Sequence, residues 1–256
     1  MPISRSAFVR GSVATGLGIT ASAAHTMPRA GIKAIAFDAF PIFDPRPIFA
    51  LTEELFPGKG MELNNVWRTR QFEYTWLRSM SHHYVDFWKV TEEALVFAAK
   101  TAQVELTTEN RARLMQGYLG LKPWPEVVSA LQAFKTAGLR MAFLSNFTPA
   151  MLQSGIKNGA LDGMFDHVLS TDRVKTYKPD PRAYQMGVDA FRLKREEILF
   201  VAYAGWDAAG AKWFGYPTFW VNRLRFPAEQ LDVTPDVMGI NLDDLVKFLH
   251  TQPASG

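Results

Sequence analysis

The sequence predicts an α/β fold, a Rossmann-like parallel sheet core with an inserted helical cap. Three observations carry that prediction. Short apolar runs recur at Ile32–Phe37, Arg140–Leu144, His167–Leu169, Ile198–Ala202 and Thr218–Val221, each the length of a buried strand. Helical patterns alternate with them at Glu126–Thr136, Pro149–Asn158, Pro181–Phe191, Ala208–Phe214 and Leu242–Leu249. Glycines stop several of these helices: Gly138, Gly159 and Gly215 stand just past the last periodic residue. Strand–helix alternation of this kind builds βαβ units and hence a parallel sheet.

The elements follow in order. Ile32–Phe37 is a short strand that ends at Asp38. From Asp44 to Pro123 the rhythm changes, and no run there has the character of a strand. Val66, Trp67, Tyr74 and Leu77 fall at helical spacing, and Glu92–Thr101 and Glu109–Leu119 form two further helical patterns. Pro45, Pro47, Pro57, Gly58 and Gly60 mark the entry to this segment, and Pro123 and Pro125 its exit. The organisation is therefore an N-terminal extension over 1–30, a core made of 31–43 with 124–250, and a helical cap over 44–123. Trp67, Phe72, Tyr74, Trp76, Tyr84, Phe87 and Trp88 crowd the cap and are read as its core.

Composition narrows the function classes. The 256 residues are 48% hydrophobic and 13% aromatic, ample for a packed core, and they include no cysteine. A disulfide scaffold, a thiolate nucleophile and a zinc finger are thus excluded. The net charge is +3, and Arg5 and Arg10 supply two units of it before residue 25, leaving +1 for the rest. So balanced a surface is no nucleic-acid footprint, and no stretch has the roughly 18 apolar residues that span a bilayer. At the N-terminus, Arg5 and Arg10 precede the weakly apolar Gly11–Thr20 and then Ala21-Ser22-Ala23-Ala24, the parts of a bacterial export signal. Ser4-Arg5-Ser6-Ala7-Phe8-Val9 resembles a twin-arginine signal, with Ser6 in place of the second arginine. The expectation is a periplasmic protein, the alternative a cytoplasmic one with a frayed extension.

In open parallel α/β sheets, ligands bind outside the carboxyl ends of the strands. The polar residues expected there are Asp38 after the first strand, Ser145 and Asn146 after the second, and Trp206 and Asp207 after the fourth. Lys178 follows the third strand in the turn Tyr177-Lys178-Pro179-Asp180. Each residue taken singly could be a helix cap or a surface group. Two carboxylates and a lysine in one crevice make a nucleophile, a base and a charge-holder.

This arrangement resembles the haloacid dehalogenase superfamily, and further phrases narrow the resemblance to the type II L-2-haloacid dehalogenases. They are Ala34-Ile35-Ala36-Phe37-Asp38-Ala39-Phe40, Glu54-Leu55-Phe56-Pro57-Gly58, Gln71-Phe72-Glu73-Tyr74-Thr75-Trp76-Leu77-Arg78, Leu144-Ser145-Asn146, Lys175-Thr176-Tyr177-Lys178-Pro179-Asp180 and Trp206-Asp207-Ala208-Ala209-Gly210. The resemblance implies hydrolysis of (S)-2-haloalkanoic acids to (R)-2-hydroxyalkanoic acids, without cofactor or metal, by a homodimer. In that chemistry Asp38 forms an ester with the substrate, Asp207 directs the hydrolytic water and Lys178 holds the paired carboxylates. Arg68 and Asn146 would bind halide, with Arg68 four residues from Phe72 on one helical face. Ser145, Asn146, Tyr184 and Trp206 would contact substrate, together with the backbone amides after Asp38. The superfamily's magnesium-dependent phosphatases carry a second aspartate where this chain has Phe40 and an acidic residue in the stretch where it has Ala208-Ala209-Gly210-Ala211.

The chain departs from the dehalogenase pattern at two places. The family's Asp-x-Tyr-Gly-Thr-Leu-Phe-Asp becomes Asp38-Ala39-Phe40-Pro41-Ile42-Phe43-Asp44, one residue shorter and without the glycine and the threonine hydroxyl. Pro41 supplies no amide. The family's Ser-x-Asn-x-Trp-Asp becomes Ala202-Tyr203-Ala204-Gly205-Trp206-Asp207, which leaves Tyr203 or Tyr84 to replace the two lost polar groups. The second hypothesis is accordingly a catalytically impaired relative that binds small carboxylates.

Overall fold

A computed structural model of the chain describes residues 31–250, so the export-signal pattern lies outside the described residues. Its strands are β1 (Ala34–Phe37), β2 (Arg140–Ser145), β3 (His167–Ser170), β4 (Ile198–Ala202), β5 (Thr218–Val221) and β6 (Val237–Gly239). They form a six-stranded parallel sheet in the order β3-β2-β1-β4-β5-β6. β1 is central: Phe37 pairs with Phe143 on one side and with Val201 on the other. The chain runs outward from β1 in both directions, so the strand order reverses between β1 and β4, and that reversal opens the crevice in which such sheets bind ligands.

Alternation along β1 divides the core in two. Ile35 and Phe37 face a cluster that includes α5 (Val127–Thr136), α6 (Pro149–Asn158) and α9 (Leu242–His250). Ala34 and Ala36 face α7 (Pro181–Phe191) and α8 (Gly205–Phe214), where Tyr184, Phe200, Phe214 and Tyr216 supply the bulk. Both α6 and α7 begin with proline in the first turn, behind a Thr148 or Asp180 side chain that accepts a backbone N–H.

Between β1 and α5 lie α1 (Arg46–Leu55), α2 (Gly60–Met80), α3 (Phe87–Thr101) and α4 (Thr108–Leu119). The two strands of chain that lead in and out run side by side: Asp44 donates its amide to Lys122 O at 2.9 Å, and Phe43 bridges Pro123 in antiparallel fashion. A second attachment ties the insert to the loop that carries Lys178. There Tyr177 N donates to Ser79 Oγ at 3.2 Å, and Tyr84 Oη donates to Asp172 Oδ1 at 2.8 Å. Among the described residues, no helix is long and apolar enough to cross a membrane.

Several elements differ from the sequence expectation; α3 starts at Phe87, five residues before Glu92. α1 starts where Pro45 and Pro47 suggest a break; proline is tolerated in a first helical turn, because the N–H it lacks would have no partner there. α8 starts at Gly205 rather than Ala208, and its N-cap position is Ala204, which has no capping side chain to signal it. β6 is only three residues long and exposes Met238.

α8 packs so closely on the α7 side that a Cβ on Gly210 would lie 2.6 Å from Tyr184 Oη and 2.7 Å from Pro179 Cβ. Gly210→Ala should therefore destabilise the protein by about 1–3 kcal/mol, the usual penalty of overpacking, despite alanine's better helix propensity. Urea unfolding measures this.

Candidate active site

The site assembles at the carboxyl ends of the central strands. Asp38 follows β1 directly, Ser145 ends β2, Lys178 precedes α7, and Asp207 lies in the first turn of α8. Lys178 is 1% exposed, and its Nζ donates to Asp38 Oδ1 at 2.8 Å and to Asp207 Oδ2 at 2.5 Å. It also lies 5.1 Å from the centre of the Phe200 ring. The ammonium thus links two carboxylates brought from strands on either side of the sheet's reversal.

Each carboxylate has a second set of partners. Asp38 Oδ1 also accepts from Ser145 Oγ at 3.1 Å, while Oδ2 accepts the Phe40 amide at 3.2 Å. Asp207 Oδ1 accepts from Tyr184 Oη at 2.7 Å. Asn146 Oδ1 accepts from the Lys178 amide at 3.0 Å and from Thr171 Oγ1 at 3.3 Å, so the NH₂ end of this amide remains for the cavity that Asn146 lines.

Burial sets the ionisation. Desolvation pushes the Asp207 carboxyl up to about 6; Lys178 opposes that shift, and the Asp38 charge adds to it. The same desolvation would lower Lys178, but Asp207 and Asp38 outweigh it and hold the ammonium above its ordinary value. Burial, then the Asp207 charge, raise Tyr184 well above the usual phenol range, so its hydroxyl stays protonated and donates.

Above this cluster lies a cavity of about 400 Å³. Asp38, Arg68, Ser145, Asn146, Lys178, Trp206 and Asp207 all line it, as the sequence predicts. Arg68 and Phe72 reach it from one face of α2, and the Trp206 ring packs against Phe72 and Trp76 at 5.1 and 5.5 Å. Among the described residues Arg68 makes no ion pair; its guanidinium lies 5.3 Å from the centre of the Phe49 ring. Phe40, Phe49, Phe87, Phe147 and Trp220 complete an aromatic wall. No group of three or more His, Asp or Glu side chains suited to a metal ion occurs among the described residues.

Two expectations are corrected. Tyr184, expected to contact substrate, is fully buried behind Asp207 and does not line the cavity; α7 turns it toward α8. Tyr84 does not stand in for the lost serine and asparagine, because its hydroxyl is spent on Asp172. Tyr203 does line the cavity, 5.6 Å from the Phe40 ring. Phe72 lines the cavity beside Arg68, and Phe87, read as cap core, is buried in the core and borders the cavity as well. Arg223 and Asn222 were missed, although they stand at the carboxyl end of β5, where the strand-end rule would have found them.

With this geometry in view, comparison with known proteins is direct. The family model of the haloacid dehalogenase-like hydrolases matches residues 32–215. The chain is 41% identical to an (S)-2-haloacid dehalogenase of Pseudomonas sp. (strain YL), a match covering 86% of this chain and 95% of that one. It is 38% identical to haloacetate dehalogenase H-2 of Moraxella sp. (strain B), over 85% of this chain and 98% of the relative. Among solved structures, the L-2-haloacid dehalogenase of Xanthobacter autotrophicus with chloropropionic acid covalently bound superposes with a TM-score of 0.80 at 33% identity, covering 87% of this chain and all of the other. The chain therefore belongs to the haloacid dehalogenase-like hydrolases and, within them, to the L-2-haloacid dehalogenase family.

Replacing Lys178 with methionine would leave two carboxylates facing each other without a cation. Lys178→Met should cost about 3–5 kcal/mol of stability at pH 7. As pH falls the penalty should shrink, because without Lys178 the Asp207 carboxyl is pushed further up, its proton removes the repulsion, and the folded variant then binds more protons than the unfolded one. Urea unfolding at pH 7 and pH 5 measures both effects.

Proposed function

We propose that the protein hydrolyses short (S)-2-haloalkanoic acids to (R)-2-hydroxyalkanoic acids through an ester on Asp38. The observation that carries this reading is the Asp38–Lys178–Asp207 triad at the floor of a cavity that also holds the unpaired Arg68. The chloropropionic acid bound covalently in the Xanthobacter relative supports it.

In the first half-reaction Asp38 Oδ2, which accepts only the Phe40 amide among the described residues, attacks C2 of the substrate from the side opposite the halogen. The carbon–halogen bond breaks, halide leaves with the electron pair, and C2 inverts. Lys178 and Ser145 hold Oδ1 and keep the carboxylate aligned. Arg68 and the Asn146 amide offer positive potential and donors to the departing halide. Apolar walls at Phe40, Phe72 and Trp206 keep bulk water from solvating the nucleophile.

In the second half-reaction a water gives its proton to Asp207 and attacks the acyl carbon of the Asp38 ester. The acyl–oxygen bond breaks as Asp207 passes its proton to the leaving alkoxide, so the hydroxy acid keeps its single inversion, and Asp38 returns as a carboxylate once its acid proton is lost to solvent. An Asp207 titrating near 6 is a stronger base than an ordinary carboxylate and is still ionised at neutral pH. Tyr184 and Lys178 fix its two oxygens, taking over orientation that the side chains at Ala202 and Ala204 cannot provide.

Halide release from L- and D-2-chloropropionate tests the reading. Release should be confined to the L enantiomer, insensitive to EDTA and at least about 10³-fold slower in Asp38→Asn. Its rate should fall on the acid side of pH 6 as Asp207 takes up a proton. No release would assign the protein instead as a binder of small carboxylates, and release unaffected by Asp38→Asn would overturn the ester on Asp38.

A further inference from the structure

The shortened loop after Asp38 is held in a way its own sequence does not provide. Every carbonyl from residue 39 to residue 42 is engaged. Ala39 O accepts from Ile42 N and Phe43 N at 3.1 and 2.8 Å. Phe40 O accepts from Trp124 Nε1 at 3.0 Å, Pro41 O from Arg223 Nη2 at 3.4 Å, and Ile42 O from Trp124 N at 3.0 Å. Three of these five bonds come from two residues far away in sequence.

Those two residues brace each other. The Arg223 guanidinium lies 4.1 Å from the centre of the Trp124 ring, and Arg46 lies 4.6 Å from it. Arg223 is also ion-paired with Glu126, and both side chains are nearly buried, 10% and 14% exposed. Trp124 is 7% exposed. The hinge beside them is closed independently by the Asp44–Lys122 backbone bond and the Phe43–Pro123 bridge. Holding the insert in place therefore does not require the bonds at Phe40 and Pro41.

We propose that Trp124 and Arg223 form a clamp that positions the Asp38 carboxylate, in place of the glycine and threonine hydroxyl that this loop lacks. The link is one residue long. Phe40 donates its amide to Asp38 Oδ2 and gives its carbonyl to Trp124, so the clamp orients the only backbone donor on the attacking oxygen among the described residues. Pro41 contributes by rigidity, with φ restricted and its carbonyl pinned by Arg223. Trp124 and Arg223 act through the loop and do not take part in the chemistry themselves.

The proposal rests on Asp38 being the nucleophile, and its test separates the two claims. Trp124→Phe removes the indole donor but keeps a ring and the backbone bond to Ile42. Arg223→Met removes the donor to Pro41, whereas Arg223→Lys keeps a charge and a donor. Trp124→Phe and Arg223→Met should each lower kcat for halide release from L-2-chloropropionate about 10- to 100-fold, because misplacement of a reacting group on the ångström scale has effects of that size. KM should stay within about twofold in Trp124→Phe, since Trp124 does not line the cavity. Arg223→Lys should recover much of the loss, and the double variant should lose less than the product of the single losses. Amide hydrogen exchange should quicken at residues 39, 40, 42 and 43 while β1 remains protected.

An unchanged kcat, or a loss matched by faster exchange throughout β1, would overturn the proposal in favour of a purely structural contact. Should the wild type release no halide, the reading of Asp38 fails. Exchange at residues 39–43 then decides the clamp alone, with faster exchange in Arg223→Met sustaining it and unchanged exchange overturning it.

Discussion

A lysine ammonium buried between two carboxylates is the constraint around which this protein is built. Alone, Lys178 at 1% exposure would be strongly disfavoured, as would Asp207 at 2%. Together with Asp38 they form a group that leaves one negative charge in the crevice. That arrangement requires three segments far apart in sequence to meet: the end of β1, the turn before α7 and the first turn of α8. A parallel sheet whose strand order reverses between β1 and β4 brings them together, because both strands deliver their carboxyl ends to the same edge. The residual negative charge is available as a nucleophile, and the buried carboxyl that titrates near 6 is available as a base.

The surroundings serve that cluster at two removes. Tyr184 and the Phe40 amide fix the oxygens that Lys178 does not hold, and Ser145 shares Asp38 Oδ1 with the lysine. Beyond them, the helical insert is tied down at the paired linkers around Asp44 and Lys122 and at the Ser79–Tyr177 and Tyr84–Asp172 bonds beside the lysine turn. The second attachment joins the insert, which brings Arg68 and Phe72 to the cavity, directly to the loop that carries Lys178. Halide-side and carboxylate-side groups thus share one frame. Their spacing is set by these partly buried hydrogen bonds.

Much of this was legible in the sequence because strand ends are marked twice, by the apolar run before them and by the polar residue that stops it. Asp38 and Ser145 are of this kind, and Asp207 follows the apolar run of β4 by five residues, in the first turn of α8. Arg68 was legible through its spacing from Phe72 and the phrase around it. What escaped was whatever depends on distance through space alone. Tyr184 was correctly singled out, yet its place behind Asp207 follows from how tightly α7 and α8 pack at Gly210, which no local pattern records. α1 was hidden by prolines that its first turn tolerates, and β6 by its brevity. Trp124 and Arg223 lie about a hundred positions apart and meet only where the nucleophile loop needs donors. The departures of that loop from the family pattern read as losses in one dimension, and in three dimensions other residues cover them.

The central claim is that Asp38 itself carries the substrate between two half-reactions, and isotope transfer in a single turnover tests it most directly. With enzyme in excess over L-2-chloropropionate in heavy-oxygen water, the account predicts label in the peptide that contains Asp38 and none in the first hydroxy acid released. Label in the hydroxy acid with none on Asp38 would mean that water displaces the halide directly, and would contradict the account.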